Sequence, residues 1–135
     1  GGIMVSIDDF HRMLEAAAAE LPHEIFTRLN GGVALSPEAK RHPKAVGDDL
    51  YILGEYRASR ALGRSIILYY GSFERTFGHL PEDALRVEID RTLRHELLHH
   101  LEGMAGEDGL VREDRSRMRA YLERKEGGMA APRDL

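Results

Sequence analysis

Hydrophobic residues recur at a constant four-residue spacing in the second half of the chain. They are Leu85, Ile89, Leu93, Leu97 and Leu101. Residues at this spacing share one face of an α-helix, so the pattern predicts a long amphipathic helix whose apolar stripe packs against the core. Pro81 suits the first position of this helix, and Glu82 follows in the first turn, where acidic side chains are favoured. Gly103 and Gly106 are the expected stops.

Two further helices are predicted near the ends of the chain. Ser6 is an N-cap for a helix over residues 7–20, because its hydroxyl can satisfy the backbone N–H groups at a helix start. The expected buried face of this helix consists of Phe10, Met13, Leu14, Ala17 and Leu21. A short second helix is expected over residues 22–29. Residues 110–126 favour a C-terminal helix with its apolar side chains inward. These are Met118, Tyr121 and Leu122.

Three segments between the helices favour β-strands, because they are rich in Val, Ile, Leu and Tyr. They span residues 33–35, 50–56 and 65–70. The link over residues 57–64 contains Gly63 and several charges, and it forms either a hairpin or a bent loop over a cleft. Strands flanked by helices in this order predict an α+β fold.

Composition limits the classes of protein to which the chain can belong. A length of 135 residues fits one domain, residues 1–135, with one hydrophobic core. The net charge of −4 provides no basic field for nucleic acid, and the basic run at residues 40–44 is better explained as a solvated loop. No apolar run reaches membrane-spanning length, and the N-terminus lacks the apolar region of a signal peptide. We therefore expect neither a nucleic-acid nor a membrane partner.

The chain contains no cysteine, which excludes disulfides and thiolate zinc sites. This fits a reducing compartment, so we expect a cytoplasmic protein. Residues 1–4 are interpreted as a cloning remnant or disordered segment, with Met4 as a natural start. The Gly-, Ala- and Pro-containing tail at residues 127–135 is predicted to be disordered. A homodimer is compatible with these features.

His95-Glu96-Leu97-Leu98-His99 is a complete H-E-x-x-H motif within the predicted long helix. Residues four apart lie on one helix face, so His95 and His99 can present their imidazoles to one metal ion. Glu96 lies about 100° around the helix from His95, within reach of a water on that metal. Two imidazole ligands leave positions for water and substrate, as a catalytic zinc site requires.

The motif is uncommon enough to favour a metal site over an accidental pattern. Random placement of the chain's His and Glu residues would give roughly 0.04 copies in a chain of this length. The alternative is a surface helix, rich in Glu and His, that carries the motif by chance. His100 diverges from His99 by about 100°, so we expect it to be a surface group or to support the ligands without binding the metal itself.

The order of elements and motifs resembles one known family. A helix and short strands precede a strand ending in Ile-Ile-Leu-Tyr-Tyr-Gly-Ser-Phe at residues 66–73, and the sequence HELLHHLE follows at residues 95–102. The segment Leu-Gly-Glu-Tyr at residues 53–56 and the double histidine are the most specific pieces. Over most of residues 5–125 the chain resembles the small bacterial zincin-like metallopeptidases, or mini-zincins. The resemblance implies a minimal zincin fold, in which a small mixed sheet packs against the active-site helix.

The sequence departs after His99 from the Asp-type zincin pattern H-E-x-x-H-x-x-G-x-x-D. Glu102 stands at the glycine position and Ala105 at the aspartate position. The third metal ligand therefore stays open among four acids. Glu107 is the first choice, because Gly106 can turn the chain back towards the metal. The alternatives are Asp108, Glu102 and Glu113.

Substrate handling follows only from the same resemblance. In zincins a strand beside the active-site helix pairs with the substrate backbone, and residues 65–73 are the candidate here. Tyr69, Tyr70 or Tyr121 is a candidate donor to the oxyanion that forms on the substrate. Packing in the core is the competing explanation for each tyrosine.

Three functions are consistent with these residues. The expected one is a zinc-dependent metallopeptidase that binds one Zn²⁺ per chain through His95, His99 and Glu107, uses Glu96 as general base, and acts on a peptide or unfolded protein segment. The second is a metal-binding module with weak catalysis, which the open third ligand favours. The third is a structural helical protein with an accidental motif. Metal content separates the third from the others, and the activity of Glu96→Gln separates the first from the second.

Overall fold

The computed structural model describes residues 4–47, 49–105 and 112–124. The helices in these ranges are α1 (Ile7–Ala19), α2 (Tyr70–Phe77), α3 (Glu82–Gly103) and α4 (Arg112–Arg124), with a short 3₁₀ helix at His23–Phe26. The strands are β1 (Val33–Ser36), β2 (Lys40–Arg41), β3 (Tyr51–Ile52), β4 (Gly54–Ser59) and β5 (Gly63–Tyr69). The predicted α+β class, with a helix towards each end, is confirmed.

Helix α1 begins where its capping residue predicts. The Ser6 hydroxyl oxygen accepts a hydrogen bond from the backbone N–H of Asp9 at 3.1 Å, which satisfies one of the first-turn donors. Its predicted inner face packs in the core, with Ala17 only partly buried. Met4 is also a core residue, whereas residues 1–3 and the predicted tail at 127–135 lie outside the described ranges.

The strands form a three-stranded mixed sheet in the order β1-β5-β4 and a separate two-stranded antiparallel pair, β2-β3. Strand β1 is parallel to β5, and β4 is antiparallel to β5. The link over residues 57–64 is therefore a hairpin. Strand β5 lies at the centre of its sheet and hydrogen-bonds on both edges, and residues 70–73 turn into helix α2. The expectation that residues 65–73 pair with a substrate strand is wrong, because β5 already pairs with β1 along one edge and with β4 along the other.

Helix α3 carries the predicted apolar stripe, and all five of its residues are at most 1% exposed. Pro81 is the N-cap and Gly103 the last helical residue. Arg94 is also buried: its guanidinium pairs with Asp90 at 3.0 Å and donates to the Tyr121 carbonyl of α4 at 3.2 Å. This arginine fastens α4 to the helix that bears the H-E-x-x-H motif.

Across the described ranges, no helix combines the length and the apolar character needed to cross a membrane.

Candidate metal centre

The two histidines of the motif lie side by side on α3. Their ring centroids are 4.8 Å apart, and the ring planes are nearly perpendicular, at 89°. The Nε2 atoms of His95 and His99 are both buried, although each residue as a whole is partly exposed. The helical spacing thus brings two imidazole nitrogens to one buried location, as the sequence predicts.

Glu96 is completely buried, including both carboxylate oxygens. It lies against Gly54, the first residue of β4. A Cβ atom on Gly54 would be 3.4 Å from Cγ of Glu96 and 3.1 Å from Cγ2 of Thr92. The missing side chain therefore lets β4 approach α3 closely, as a glycine in a strand often does. As a result β4, which is an edge strand within the described residues, begins beside the Glu96 side chain.

His100 is buried and hydrogen-bonded at both ring nitrogens. Nε2 lies 2.8 Å from the Thr27 carbonyl oxygen, and Nδ1 lies 3.0 Å from the Tyr56 hydroxyl. A carbonyl can only accept, so Nε2 carries the proton and Nδ1 accepts from Tyr56. Burial lowers the pKa of His100; the bond to the Thr27 carbonyl raises it by less, and the nearby positive charge of Arg64 lowers it further. The expectation of a surface group at His100 is wrong: this residue ties α3 to β4 and to the loop after the 3₁₀ helix.

Each of the three tyrosines considered as an oxyanion donor makes a structural contact that accounts for its presence without a role in catalysis. The Tyr70 hydroxyl donates to the Val5 carbonyl at 2.6 Å. The ring of Tyr121 faces the Arg94 guanidinium, 5.1 Å from its centroid. Tyr69 belongs to a charged cluster on the sheet face that points away from α3. The structure thus favours packing and anchoring roles for these tyrosines.

That charged cluster is centred on Glu55, which alternates with Gly54 and Tyr56 and so points to the opposite face of the sheet. Glu55 pairs with Lys40, and it accepts a hydrogen bond from the Tyr69 hydroxyl at 3.0 Å. Burial raises the pKa of Glu55, but the bonds from Lys40 and Tyr69 together with the positive charges outweigh it, so the net pKa is lowered. The bond to Glu55 likewise raises the pKa of Lys40.

Two of the four candidates for the third metal ligand lie among the described residues. Glu102 is half-exposed and pairs with Arg119 of α4 at 3.2 Å. Glu113 lies exposed in the first turn of α4. Glu107 and Asp108 lie outside the described residues. Within the described ranges, no group of three or more His, Asp or Glu side chains could hold a metal ion. The structure therefore brings together His95, His99 and Glu96, and it does not add Glu102 or Glu113 to them.

Sequence reasoning missed three neighbours of the motif: Gly54, Tyr56 and Thr27. Strand alternation shows that Gly54 and Tyr56 share one face, but the contact of that face with α3 depends on strand pairing, which has no local signal. Thr27 has no local signal either, since its carbonyl is a backbone group in an irregular segment.

Comparison with known proteins supplies a relative but no activity. No family model matches the chain, and no curated protein matches it. Among solved structures, it is similar to a conserved hypothetical protein from Thermus thermophilus at 37% sequence identity and a TM-score of 0.65. The match covers 76% of this chain and 100% of that one. The chain belongs to the same family as this protein, whose name specifies no chemistry.

Proposed function

We propose that the protein is a zinc-dependent metallopeptidase of the minimal zincin class. His95 and His99 are the metal ligands, and Glu96 is the general base. The observation that carries this proposal is the pair of imidazole rings 4.8 Å apart on α3, next to a completely buried glutamate. The substrates are peptides or unfolded protein segments, and the cytoplasmic location expected from the lack of cysteine belongs to the same proposal.

The chemistry of the donor set fits zinc. Neutral imidazole nitrogens are common zinc ligands, and two of them with one carboxylate make a three-residue catalytic site. Glu107 stays the proposed carboxylate, with Asp108 as its nearest alternative. When bound, zinc would lower the pKa of a water molecule and polarise the scissile carbonyl.

Two features of the chain would serve peptide hydrolysis. Glu96 would accept the proton of the attacking water and return it to the leaving amine, and its burial keeps bulk water from competing for that proton. The edge strand β4 would hold an extended peptide through backbone hydrogen bonds, replacing the central strand β5 in that role. Because β4 begins beside Glu96, a peptide bound along this edge passes the carboxyl group.

Zinc content and turnover together test the proposal. Untagged wild-type protein should bind one zinc per chain, and His95→Ala and His99→Ala should each lose it. Glu96→Gln preserves shape but removes the base, so turnover should fall roughly 10²-fold or more while zinc affinity is retained. Glu82→Gln, on the exposed first turn of the same helix, is the matched control and should keep full turnover. Wild-type turnover in Glu96→Gln would overturn the mechanism.

A metal-binding module with weak catalysis is the second candidate function. It is favoured by the lack of a third ligand among the described residues. Zinc that depends on both histidines, with no cleavage by wild type across a broad peptide library, would establish this function in place of the first.

A further inference from the structure

A cavity opens where the end of α3 meets the first half of α4. Its volume is about 360 Å³, within the range of ligand sites. Residues from the two segments line it together: Leu101, Glu102, Ala105, Arg115, Ser116 and Arg119. Leu101 is a buried core residue, and the residues from α4 supply two guanidinium groups and a hydroxyl. The cavity therefore combines an apolar wall with donors for a polar group.

The cavity begins on the face of α3 that carries the motif histidines. By helical geometry, Glu102 lies about 20° around the axis from His95 and about 60° from His99. Residues three apart are neighbours on a helix surface, so Glu102 adjoins His99. The lining residues at this end of α3 follow His99 within two turns, which places the cavity roughly 3–9 Å from His99 along the axis. A ligand in the cavity is therefore close to the candidate metal centre.

This face of α3 is turned towards the free edge of β4, the edge that has no partner strand among the described residues. Glu96 lies against Gly54 of β4, whereas Leu97 is turned into the core that also contains residues of β5. His99 is about 160° from Leu97 around the helix axis, so it points away from β5. The candidate metal centre and the cavity therefore share the side of α3 on which a peptide would pair with β4.

The cavity also lies in the direction in which such a peptide would run. Gly54 meets Glu96, and further along both elements Tyr56 meets Gly103, so β4 and α3 run the same way. A peptide that follows β4 past Glu96 therefore approaches the end of α3. An extended chain advances about 3.4 Å per residue, so about three residues span the distance from the metal centre to the cavity.

Arg115 supplies the positive charge of the cavity. Glu102 pairs with Arg119 at 3.2 Å, and Arg119 also lies 3.8 Å from Glu123, so these charges offset one another. Arg115 is half-buried, and within the described ranges it forms neither a hydrogen bond nor an ion pair. A half-buried guanidinium without an acidic partner favours an anionic ligand.

Capping of α3 does not account for Arg115. The Leu101 carbonyl accepts from the backbone N–H of Met104 at 3.2 Å. The Glu102 carbonyl accepts from the backbone N–H of Ala105 at 3.1 Å. These carbonyls at the helix end thus have donors from the chain itself, as helix termini require. The guanidinium of Arg115 is left to face the cavity.

We infer that this cavity binds a carboxylate group of the substrate peptide, within about three residues of the cleaved bond, and that Arg115 is its principal contact. The inference rests on the proposed function for its reference to cleavage. Arginine suits this task because its planar guanidinium matches the geometry of a carboxylate and stays charged. The Ser116 hydroxyl is a second donor. The carboxylate belongs either to the C-terminus of the peptide or to an Asp or Glu side chain, since both present the same group.

Binding of inert peptides tests the inference without relying on catalysis. The protein is full-length Glu96→Gln with zinc added, and affinities are measured by calorimetry. The probes are three N-acetylated peptides of Ala and Ser: one ends in a free carboxylate, one ends in an amide, and one ends in an amide but carries a central Asp. A peptide with the preferred carboxylate should bind about tenfold more tightly than the neutral peptide at low salt, the scale of charge-assisted hydrogen bonds. Whichever of the two charged peptides gains this affinity identifies the source of the carboxylate.

One variant should abolish that preference, and a matched control should keep it. Arg115→Gln removes the charge and breaks no described contact, so its urea midpoint should stay at that of the parent protein. Arg117→Gln is the control, because Arg117 is an exposed arginine of the same helix that pairs with Asp114 and does not line the cavity. A preference that survives Arg115→Gln would mean that the carboxylate binds zinc or another group, and it would overturn the inference. Equal binding of all three peptides to the parent protein would overturn it too.

Cleavage by wild type separates this inference from the proposed function. When the carboxylate is moved stepwise along the peptide, the cleaved bond should move with it and stay within about three residues. Cleavage of charged and neutral peptides at equal rates, with equal binding, would remove the role of the cavity and leave the peptidase intact. A preference that depends on Arg115, without any cleavage, would remove the peptidase and leave the carboxylate site.

Discussion

The hydroxyl of Tyr56 lies 3.0 Å from Nδ1 of His100, and this bond joins the edge strand β4 to the helix that bears the H-E-x-x-H motif. The same tyrosine ring covers Gly103: a Cβ atom there would lie 3.2 Å from Cε2 of Tyr56. Because the other nitrogen of His100 binds the Thr27 carbonyl, one buried imidazole holds three segments of the chain together. This arrangement supports the part of α3 that carries the H-E-x-x-H motif.

Tyr56→Phe should destabilise the protein, because it leaves Nδ1 of a buried histidine without its hydroxyl donor. The expected loss in the free energy of unfolding is about 1–3 kcal/mol, measured by urea denaturation. Tyr51→Phe is the matched control. The Tyr51 hydroxyl accepts from exposed Arg75, where water can replace it, so its loss should be well under about 1 kcal/mol. Equal losses in the two variants would contradict the role given to the Tyr56–His100 bond.

The pH dependence of stability should report on Glu55. Its pKa in the folded state is lowered from the ordinary value of 4.5, so the unfolded state binds more protons as the pH falls below that value. The stabilisation is therefore complete above pH 4.5 and is lost as the pH falls through the folded-state pKa. Glu55→Gln should be less stable than wild type at pH 7, and the difference should shrink below pH 4.5. A difference that stays constant between pH 7 and pH 3 in urea titrations would refute this assignment.

The long helix could be predicted from the sequence because its signal is local and repeated. Five apolar residues at one spacing determine its inner face, and the motif then fixes the relation of His95 to His99. Helix α2 was missed, because Tyr70 and Gly71 continue an apolar strand in the sequence. In the structure the first turn of α2 makes a distant contact that no local pattern reveals: the Ser72 hydroxyl accepts a hydrogen bond from the backbone N–H of Lys40 at 2.8 Å.

The strand boundaries also depend on contacts between distant segments, so the local sequence does not reveal them. The segment 50–56 was predicted as one strand, but the structure divides it at Leu53 between β3, which pairs with β2, and β4, which pairs with β5. Likewise, Tyr56 and His100 are 44 positions apart, so no local pattern brings them together. Residues of the site that follow from helical spacing were therefore predictable, and those that depend on strand pairing were not.

The third metal ligand should emerge from single alanine substitutions of Glu107, Asp108, Glu102 and Glu113. We expect Glu107→Ala to lower zinc affinity tenfold or more, because two imidazoles alone hold the ion weakly. Glu102→Ala should leave zinc affinity near the wild-type value, since this carboxylate pairs with Arg119. Affinities are measured by competition with a chromogenic chelator at constant pH. Equal zinc affinity in all four variants would mean that water or another chain completes a two-histidine site.

Gly54→Ala should lower both the stability of the fold and the rate of turnover. The added methyl group would lie 3.1 Å from Cγ2 of Thr92 and 3.2 Å from the Ile67 carbonyl oxygen, closer than ordinary packing, so β4 and α3 must separate by a few tenths of an ångström. This separation moves β4 relative to Glu96, whose Cγ would lie 3.4 Å from the methyl group. The expected cost in stability is about 1–3 kcal/mol, typical of overpacking. Turnover should fall about tenfold, because catalysis depends on small displacements of the reacting groups.

The side chain nearest to the methyl group of Gly54→Ala is that of Thr92, and a substitution there provides a control. Thr92→Ser removes Cγ2 but keeps the hydroxyl that donates to the Glu88 carbonyl at 2.9 Å. Alone, Thr92→Ser should change turnover little; combined with Gly54→Ala, it should restore part of the lost activity and stability. The 3.2 Å approach to the Ile67 carbonyl oxygen remains, so recovery should be incomplete. If Gly54→Ala turned over substrate at the wild-type rate, the close approach of β4 to Glu96 would have no part in catalysis.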